Sequence, residues 1–354
     1  MPRVTIGDVA AEAGVSVATV SKVINGRYGV APATLAKVQA VIEQLGYESS
    51  LVARSLRSRR TNVVGVVVAD IEPFSAELLK GAGAAVRAHG YELIVYSGSG
   101  HGKDQAGWER RYVSRLGGTL TDGIVLVTPT VVDVETDTPL VAVDPHTGPA
   151  TLPTVHGDNL AGAVAATEHL LGLGHRRIGF LAGRPDLESA RQREQGYRQA
   201  LEAAGIAVDP DLIRVGDYEL DRSEKPAREL LTLPDRPTAI FAANDLSAIQ
   251  TLHVAHSLGL RVPGDVSVVG FDNIPESALM EPPLTTIDQQ IQEMGRRAVE
   301  LLIDRIEREG PPDGRPKEPD EPDRPDEHEG PPQVTLPTRL VVRQSTGPAP
   351  GTAT

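Results

Sequence analysis

The chain is 354 residues long, room for two or three domains with sizeable cores, and it carries 35 Lys and Arg against 48 Asp and Glu. It has no cysteine, which excludes disulfides and thiolate metal sites. Neither an apolar leader nor a run of about 18 apolar residues occurs, so a soluble, cytoplasmic chain with no membrane partner is expected. The charge is uneven. Residues 1–60 hold eight bases (Arg3, Lys22, Arg27, Lys37, Arg54, Arg57, Arg59, Arg60) against four acids (Asp8, Glu12, Glu43, Glu48), leaving −17 to the remainder of a chain whose net charge is −13. A basic head on an acidic body suits a head that meets a polyanion, although chance clustering would give the same count.

The predicted elements begin at Thr5. With Asp8 it forms a capping-box-like start, after which Ile6, Val9, Ala10 and Ala13 fall on one apolar face. Gly14 permits a tight turn and Ser16 can cap a second helix. The stretch GVSVATVSKVING, residues 14–26, then divides in two. Val20, Val23 and Ile24 face one way, while Val17, Ala18, Ser21, Lys22 and Asn25 share the other. That second face is small and rich in donors, which suits the DNA major groove. A third amphipathic helix offers Leu35, Val38, Val41, Ile42 and Leu45 as support. By periodicity alone a generic three-helix packing unit fits equally.

From Asn62 the texture changes to apolar β-branched runs alternating with Ala-rich stretches. Strands are predicted at Val63–Ala69, Tyr91–Tyr96, Gly123–Val127, Leu140–Val143, Ile178–Ala182, Ala239–Ala243 and Val266–Phe271. Helices are predicted at Ala76–His89, Leu160–Leu173, Ala190–Ala204, Leu246–Leu258 and Ile291–Ile306. This alternation implies parallel sheets with crossover helices on both faces, in two lobes because about 280 residues is large for one sheet. Residues 311–332, PPDGRPKEPDEPDRPDEHEGPP, contain eight prolines, eight acids and no large apolar residue. They read as a disordered acidic insert before a final strand, Val334–Val342, and the tail at 347–354 reads as frayed.

Signals for catalysis are absent. GSGHGKD, residues 98–104, follows a strand and precedes a helix, but Lys103 stands at the third glycine position of a dinucleotide fingerprint. As a P-loop it fails too, since Ser97 lacks the leading glycine and Asp104 replaces Ser/Thr. No G-x-S-x-G elbow or H-E-x-x-H helix occurs, and the nine histidines show no metal spacing. No catalytic residue, metal or cofactor is expected, and the chain is not expected to be an enzyme. Trp108, the sole tryptophan, shares a helical stretch with Tyr112 and Leu116 and reads as packing.

The run VTIGDVAAEAGVSVATVSKVINGRYGVAPATLAKVQAVIEQLGYESSLVARSLRSRRTNVVGVVV resembles the lactose-repressor (LacI/GalR) family, and the resemblance continues through almost the whole chain, failing only in 311–332 and the tail. It implies an all-α helix-turn-helix DNA-binding head at 1–48, a hinge helix at 49–61 and an α/β two-lobed, periplasmic-binding-protein-like core with parallel sheets at 62–346. Lobe 1 would take about 62–158 and 290–310, and lobe 2 about 159–288 and 333–346. By the same resemblance Val17, Ala18 and Lys22 read base edges, Lys22 donating to guanine without the rigid fork of arginine. Thr5, Ser16, Thr19, Ser21, Asn25, Thr34, Tyr47 and Arg57 match positions that hold the DNA backbone, and Gly29 leaves one contact position with no side chain. Leu56 matches a leucine wedged into the minor groove; an ordinary basic linker is the plainer reading of 51–60. Ser49 and Ser50 depart from the proline–asparagine common before the hinge helix.

In the core the resemblance puts Phe74 and Tyr218 in the interlobe cleft as flat platforms, with Asp144, Arg193, Asn244 and Asp272 as groups that can fork to adjacent hydroxyls. Asp245 and Asn273 could instead only cap helices or turns, and Asp158 with Asn159 could only mark a lobe crossing. Ser75 stands where many relatives carry a second aromatic. The implied function is a sequence-specific repressor of sugar uptake or catabolism genes, a homodimer released from a palindromic operator on double-stranded DNA by a mono- or oligosaccharide effector. The alternatives are a purine-type co-repressor on the same DNA-binding plan, and a sugar-binding transport protein.

Overall fold

The computed structural model describes residues 4–24, 29–45, 60–98, 107–117, 120–131, 133–146, 151–309 and 330–351. The chain forms two compact units, Met1–Thr61 and Asn62–Thr354.

In the first unit, α1 (Ile6–Ala13), α2 (Val17–Ile24) and α3 (Pro32–Leu45) enclose Val9, Ala10, Ala13, Val20, Val23, Val38 and Val41. The start of α1 is fixed by a reciprocal cap, in which Asp8 N–H donates to Thr5 Oγ1 at 3.3 Å and Thr5 N–H donates to Asp8 Oδ2 at 2.8 Å. Gly14 ends α1 at φ 61°, a left-handed conformation that a side chain would strain. Ser16 Oγ then accepts from Thr19 N–H at 3.1 Å and opens α2. Leu35, expected to support the pair, is instead 37 % exposed.

The second unit is built on two parallel sheets. The first contains β1 (Val63–Val68), β2 (Glu92–Ser97), β3 (Gly123–Val127), β4 (Leu140–Val143), β5 (Thr154–Gly157) and β11 (Gln333–Leu336), in the order β11-β5-β4-β3-β1-β2. α4 (Pro73–Ala88), α5 (Glu109–Leu116) and α11 (Ile291–Glu309) cover it. The second sheet joins β6 (Ile178–Ala182), β7 (Ile213–Val215), β8 (Ala239–Ala242) and β9 (Ser267–Val269) in the order β7-β6-β8-β9. It carries α6 (Asn159–Gly172), α7 (Glu188–Ala203), α8 (Leu220–Leu231) and α9 (Asp245–Ser257), and the short α10 (Pro275–Leu279) follows. β10 (Thr286–Asp288) and β12 (Arg339–Val341) pair antiparallel. The solid apolar runs are buried on both faces, as parallel strands must be: every residue of β1, β3, β4 and β6 is buried.

The chain passes between lobes three times, and the crossings are tied together. Asp158 N–H donates to Leu336 O at 2.9 Å, Thr338 Oγ1 to Asp158 O at 3.2 Å, and Gln290 Nε2 to Pro337 O at 2.7 Å. Here the structure corrects the expected final strand. Proline has no N–H to donate and interrupts a ladder, so Pro337 splits 334–342 in two. Residues 333–336 leave lobe 2, where they were expected, and extend the lobe 1 sheet, with Val334 in register with Val155.

Two further expectations change. Of the proposed disordered insert, 311–329 lie outside the described residues, but Pro332 O accepts from Thr154 N–H at 2.9 Å and so belongs to the sheet edge. The tail is docked rather than frayed through 347–351. Gly347 N–H donates to Ser267 Oγ at 3.0 Å, His175 Nε2 lies 3.0 Å from Gly347 O, and Ala349 N–H donates to Leu173 O at 2.9 Å. Small residues and prolines offer little side chain to bury, but their backbone groups are satisfied by lobe 2.

Candidate functional site

On the head, the packing of α2 sorts its two faces as the spacing implies. Val20 and Val23 are buried, Ile24 and Ser21 half-buried, and Val17, Ala18 and Lys22 exposed, Val17 to 46 %. Thr5 and Ser16 spend one lone pair each on a helix start, and Ser16 Oγ lies 2.9 Å from Thr19 Oγ1. The Thr5 hydroxyl donates to the Asp8 carboxylate at 2.7 Å, and both Thr5 and Ser16 stay on the surface at helix N-termini. Thr34 is half-buried in the first turn of α3. Asn25, Tyr47, Leu56 and Arg57, with Ser49 and Ser50, lie outside the described residues.

In the core, a cavity of about 390 Å³ opens at the carboxyl ends of the strands of both sheets, the place where such folds hold ligands. It gathers Phe74, Asp144, Arg193, Tyr218, Asn244 and Asp272, all six residues singled out in the sequence. Phe74 comes from the first turn of α4, fixed by Glu72, whose carboxylate accepts from Phe74 N–H at 2.7 Å and Ser75 N–H at 2.8 Å. Arg193 projects from α7 and is 3 % exposed. It donates to Asn159 Oδ1 at 2.8 Å, Ala243 O at 2.6 Å and Asp272 Oδ1 at 3.2 Å, and its guanidinium carbon lies 3.8 Å from the Phe271 ring centroid. Asp272 Oδ1 also accepts from Gln289 Nε2 at 2.6 Å. Asn244 lines the cavity, but its amide is engaged at both ends: Oδ1 caps α9 at Ser247 N–H and Nδ2 donates to Tyr218 O, each at 3.0 Å. Its first task is to position Tyr218.

The backbone around the cavity is unusual. Thr128 (φ 46°), Asp144 (φ 44°), Asp217 (φ 59°), Tyr218 (φ 66°) and Asp272 (φ 124°) all line it in left-handed conformations that non-glycine residues rarely adopt. Such strain persists only where surrounding contacts over-determine it, and it concentrates at ligand sites.

Electrostatically the cavity is acidic, with Asp70, Glu72, Asp144, Asp217, Glu219 and Asp272 against Arg184 and Arg193. Burial pushes the Asp272 carboxyl up to about 7, opposed by Arg193 and reinforced by the charges of Glu72 and Asp144. Burial likewise raises Asp144, opposed by Arg193 and His156, and raises Glu72, opposed by its hydrogen bonds to Ser75. His146, also on the wall, is drawn down to about 4 by burial, with Asp186 pulling the other way. Asp245 lies behind the cavity wall, fully buried, accepting from Thr286 Oγ1 at 2.5 Å and Ile274 N–H at 3.0 Å. It is structural.

The sequence reading missed Glu72, Trp108, His146 and Gln289 as wall residues. Trp108 does pack, edge-on to Tyr112 with centroids 5.6 Å apart, but it also faces the cleft. Its signal was available: a lone tryptophan eleven residues beyond the end of β2, a strand whose carboxyl end must face the cleft.

Three short helices, the first two capped and the second exposing a donor-rich face, followed by a two-lobed α/β unit with a cleft at its strand ends, define a helix-turn-helix DNA-binding protein with a periplasmic-binding-protein-like core. Comparison with known proteins agrees. Residues 5–50 match the model for bacterial regulatory proteins of the lacI family, and residues 167–346 match the periplasmic binding protein-like domain. The chain is 36 % identical to the HTH-type transcriptional regulator CelR of Thermobifida fusca over 97 % of this chain and 98 % of that protein. Among solved structures it resembles a transcriptional regulator CelR–cellobiose complex (35 % identity, TM-score 0.66, 97 % and 100 % of the two chains). It also resembles the lac repressor dimer bound to operator and the anti-inducer ONPF (27 % identity, TM-score 0.81, 98 % and 99 %). The chain belongs to the lacI family and is a DNA-binding transcriptional regulator. Among the described residues no helix is long and apolar enough to cross a membrane.

Proposed function

We propose that the protein is a homodimeric, sugar-responsive repressor acting in the cytoplasm, not an enzyme, and that it binds a near-palindromic operator. Residues 1–48 serve as the DNA-binding domain and 49–61 as a hinge helix. Val17, Ala18 and Lys22 read base edges, Leu56 wedges the minor groove, and Thr5, Ser16, Thr19, Ser21, Asn25, Thr34, Tyr47 and Arg57 hold the backbone. Two half-sites need two heads, hence the dimer. The effector occupies the cleft against Phe74, Asp144, Arg193, Tyr218, Asn244 and Asp272.

The observation that carries the ligand class is the chemistry of the cavity wall. Six carboxyl residues against two arginines repel an anionic effector, while Phe74 and Tyr218 beside Asp144, Asp272 and Arg193 suit a neutral molecule with apolar faces and a hydroxyl rim. Likeness to a regulator whose structure was solved with cellobiose supports a saccharide. Sugar closing the lobes favours the state with lower operator affinity, an effect bounded by its differential affinity for the two states, about 1–3 kcal/mol.

The test is a band-shift assay with the full chain on duplex from its own upstream region, repeated with mono- and oligosaccharides and with purines. Binding is expected to weaken steeply with salt as phosphate contacts release counterions, and one saccharide is expected to dissociate the complex. A purine that tightens binding would replace the sugar by a co-repressor. Failure to bind any duplex at low ionic strength would sink the operator reading.

A further inference from the structure

Among the described residues, two buried side-chain polar atoms have no hydrogen-bond partner, Trp108 Nε1 and Tyr218 Oη. Both residues line the interlobe cavity, Trp108 from the lobe of β1–β5 and Tyr218 from the lobe of β6–β9. Ser189 is close enough to Tyr218 to favour its phenolate but closes no hydrogen bond of good geometry. A buried donor left unpaired costs free energy that a folded chain normally avoids, so two orphans in one cavity, and on opposite walls, call for a common partner.

Neither ring is free to turn away and find one. Trp108 is 8 % exposed, set edge-on to Tyr112, which in turn meets Tyr96 with centroids 5.4 Å apart. The residues on either side are pinned to the cavity-lining Thr130. Gly107 N–H donates to Thr130 Oγ1 at 2.7 Å, and the buried Glu109 carboxylate accepts from the Thr130 backbone N–H and, at 3.0 Å, from its hydroxyl. Each ring also rests on a glycine that no other residue could replace without displacement. A Cβ on Gly98, just past β2, would lie 2.7 Å from Trp108 Cζ3, and one on Gly183, just past β6, would lie 2.2 Å from Tyr218 Cζ. The two lobes thus repeat one device: a strand ends, a glycine follows, and an aromatic ring with an unfilled donor lies on it.

We propose that Trp108 is a specificity-determining residue of the effector site, its indole N–H donating to an oxygen of a hydroxylated effector that presents other oxygens to the Tyr218 wall. Tyr218 was legible as an apolar platform; the donor on the opposite wall is the new element. The proposal rests on the reading of the cavity as a saccharide site. It also explains why the ring is held so firmly while its polar atom is left unused. A tryptophan needed only for packing would have no reason to leave its N–H unpaired in the one place where a ligand can satisfy it.

Because Trp108 is the sole tryptophan, the full chain gives a single indole N–H resonance when labelled with nitrogen-15. The experiment titrates that protein with the saccharide that releases operator DNA, following the resonance, and measures affinity calorimetrically for the wild type and for Trp108→Phe, which keeps an aromatic ring and removes the donor. Saturation is expected to move the resonance downfield and slow its exchange with solvent, and Trp108→Phe is expected to bind about 10- to 100-fold more weakly. Deoxy analogues of the saccharide identify the accepting oxygen: the one lacking it should bind both proteins alike. If the resonance stays put at saturation, or the variant binds within twofold of wild type, the assignment of Trp108 is overturned while the saccharide reading stands. Should Trp108→Phe fold poorly, the resonance alone decides. If no saccharide binds the wild type, both fall together.

Discussion

Lys22 stands exposed on α2, whereas Arg193 is 3 % exposed and spends its guanidinium on Asn159, Ala243 and Asp272. In the proposed reading the two are cationic contacts of the DNA-binding and effector-binding regions, and they are held under opposite conditions. Among the described residues the fully buried core of the head is valine and alanine, with Ile6, Ile24, Ile42 and Leu45 packed against it, and the groups proposed to read DNA lie on the outside. There, a side chain can change without disturbing the fold, and recognition and stability are separable. The core buries charge beside its ligand cavity, so that binding groups are also packing groups. Specificity of the head can drift cheaply from one chain to another, while the pocket can be altered only by changing several partners at once.

The sharpest way to break this contrast is to truncate each cation. Arg193→Leu leaves the Asp272 carboxyl buried without its partner and removes the hydrogen bond that satisfies Ala243 O. Breaking a buried pair on one side costs about 3–5 kcal/mol, so denaturant unfolding of the full chain should show a loss of that order, with saccharide binding gone. A loss below about 1 kcal/mol would mean that the Arg193 network is better solvated than its burial implies, and the contrast would fail. Lys22→Ala is the opposite case. Melting should be unchanged, and affinity for the cognate operator should fall by about 1–3 kcal/mol while affinity for random duplex barely moves, as read by band shifts on both. An equal loss on both duplexes would make Lys22 a phosphate contact.

The same contrast governs what could be read from sequence. The head was legible because every signal is local: a reciprocal cap at Thr5 and Asp8, a left-handed Gly14, and apolar residues at helical spacing. Only Leu35, apolar but exposed, broke the pattern. In the core, β3, β4 and β6 fell within one residue of expectation because each is an unbroken apolar run buried on both faces. The strands that were missed, TVHG at 154–157, IRV at 213–215 and TID at 286–288, are three or four residues long and carry polar side chains. Their place is set by pairing with distant segments rather than by their own pattern. α8 was hidden by Pro226, which lies inside it. The six cleft residues named in advance came from resemblance, not spacing; what no local pattern could give was their neighbours. Gln289 and Glu72 matter through contacts made across the fold, and Trp108 looked like packing because half of its environment is packing.

A smaller effect sharpens the contrast further, since only the buried site should couple ligand to protons. The folded value of Asp272, about 7, lies above the ordinary 3.8, so between those values the folded core keeps a proton that the unfolded chain has released. Its contribution to stability is therefore present in full below about pH 4 and is lost as pH rises through 7. Sugar hydroxyls donating to the carboxylate favour its charged form and draw its pKa back down. Binding near pH 7 should then release a fraction of a proton, and affinity should rise with pH before levelling off above about 8. Calorimetry at pH 7 in two buffers of different ionisation enthalpy measures that release directly. Because Glu72 and Asp144 act on the same carboxyl, the proton belongs to the group of acids rather than to one of them, and Asp272→Asn should shrink the release without creating an uptake. Proton uptake in the wild type would mean that the ligand reads Asp272 as a neutral donor. No release at all would place the hydroxyl contacts elsewhere on the wall, and operator binding, proposed to rest on exposed groups such as Lys22, should show none in either case.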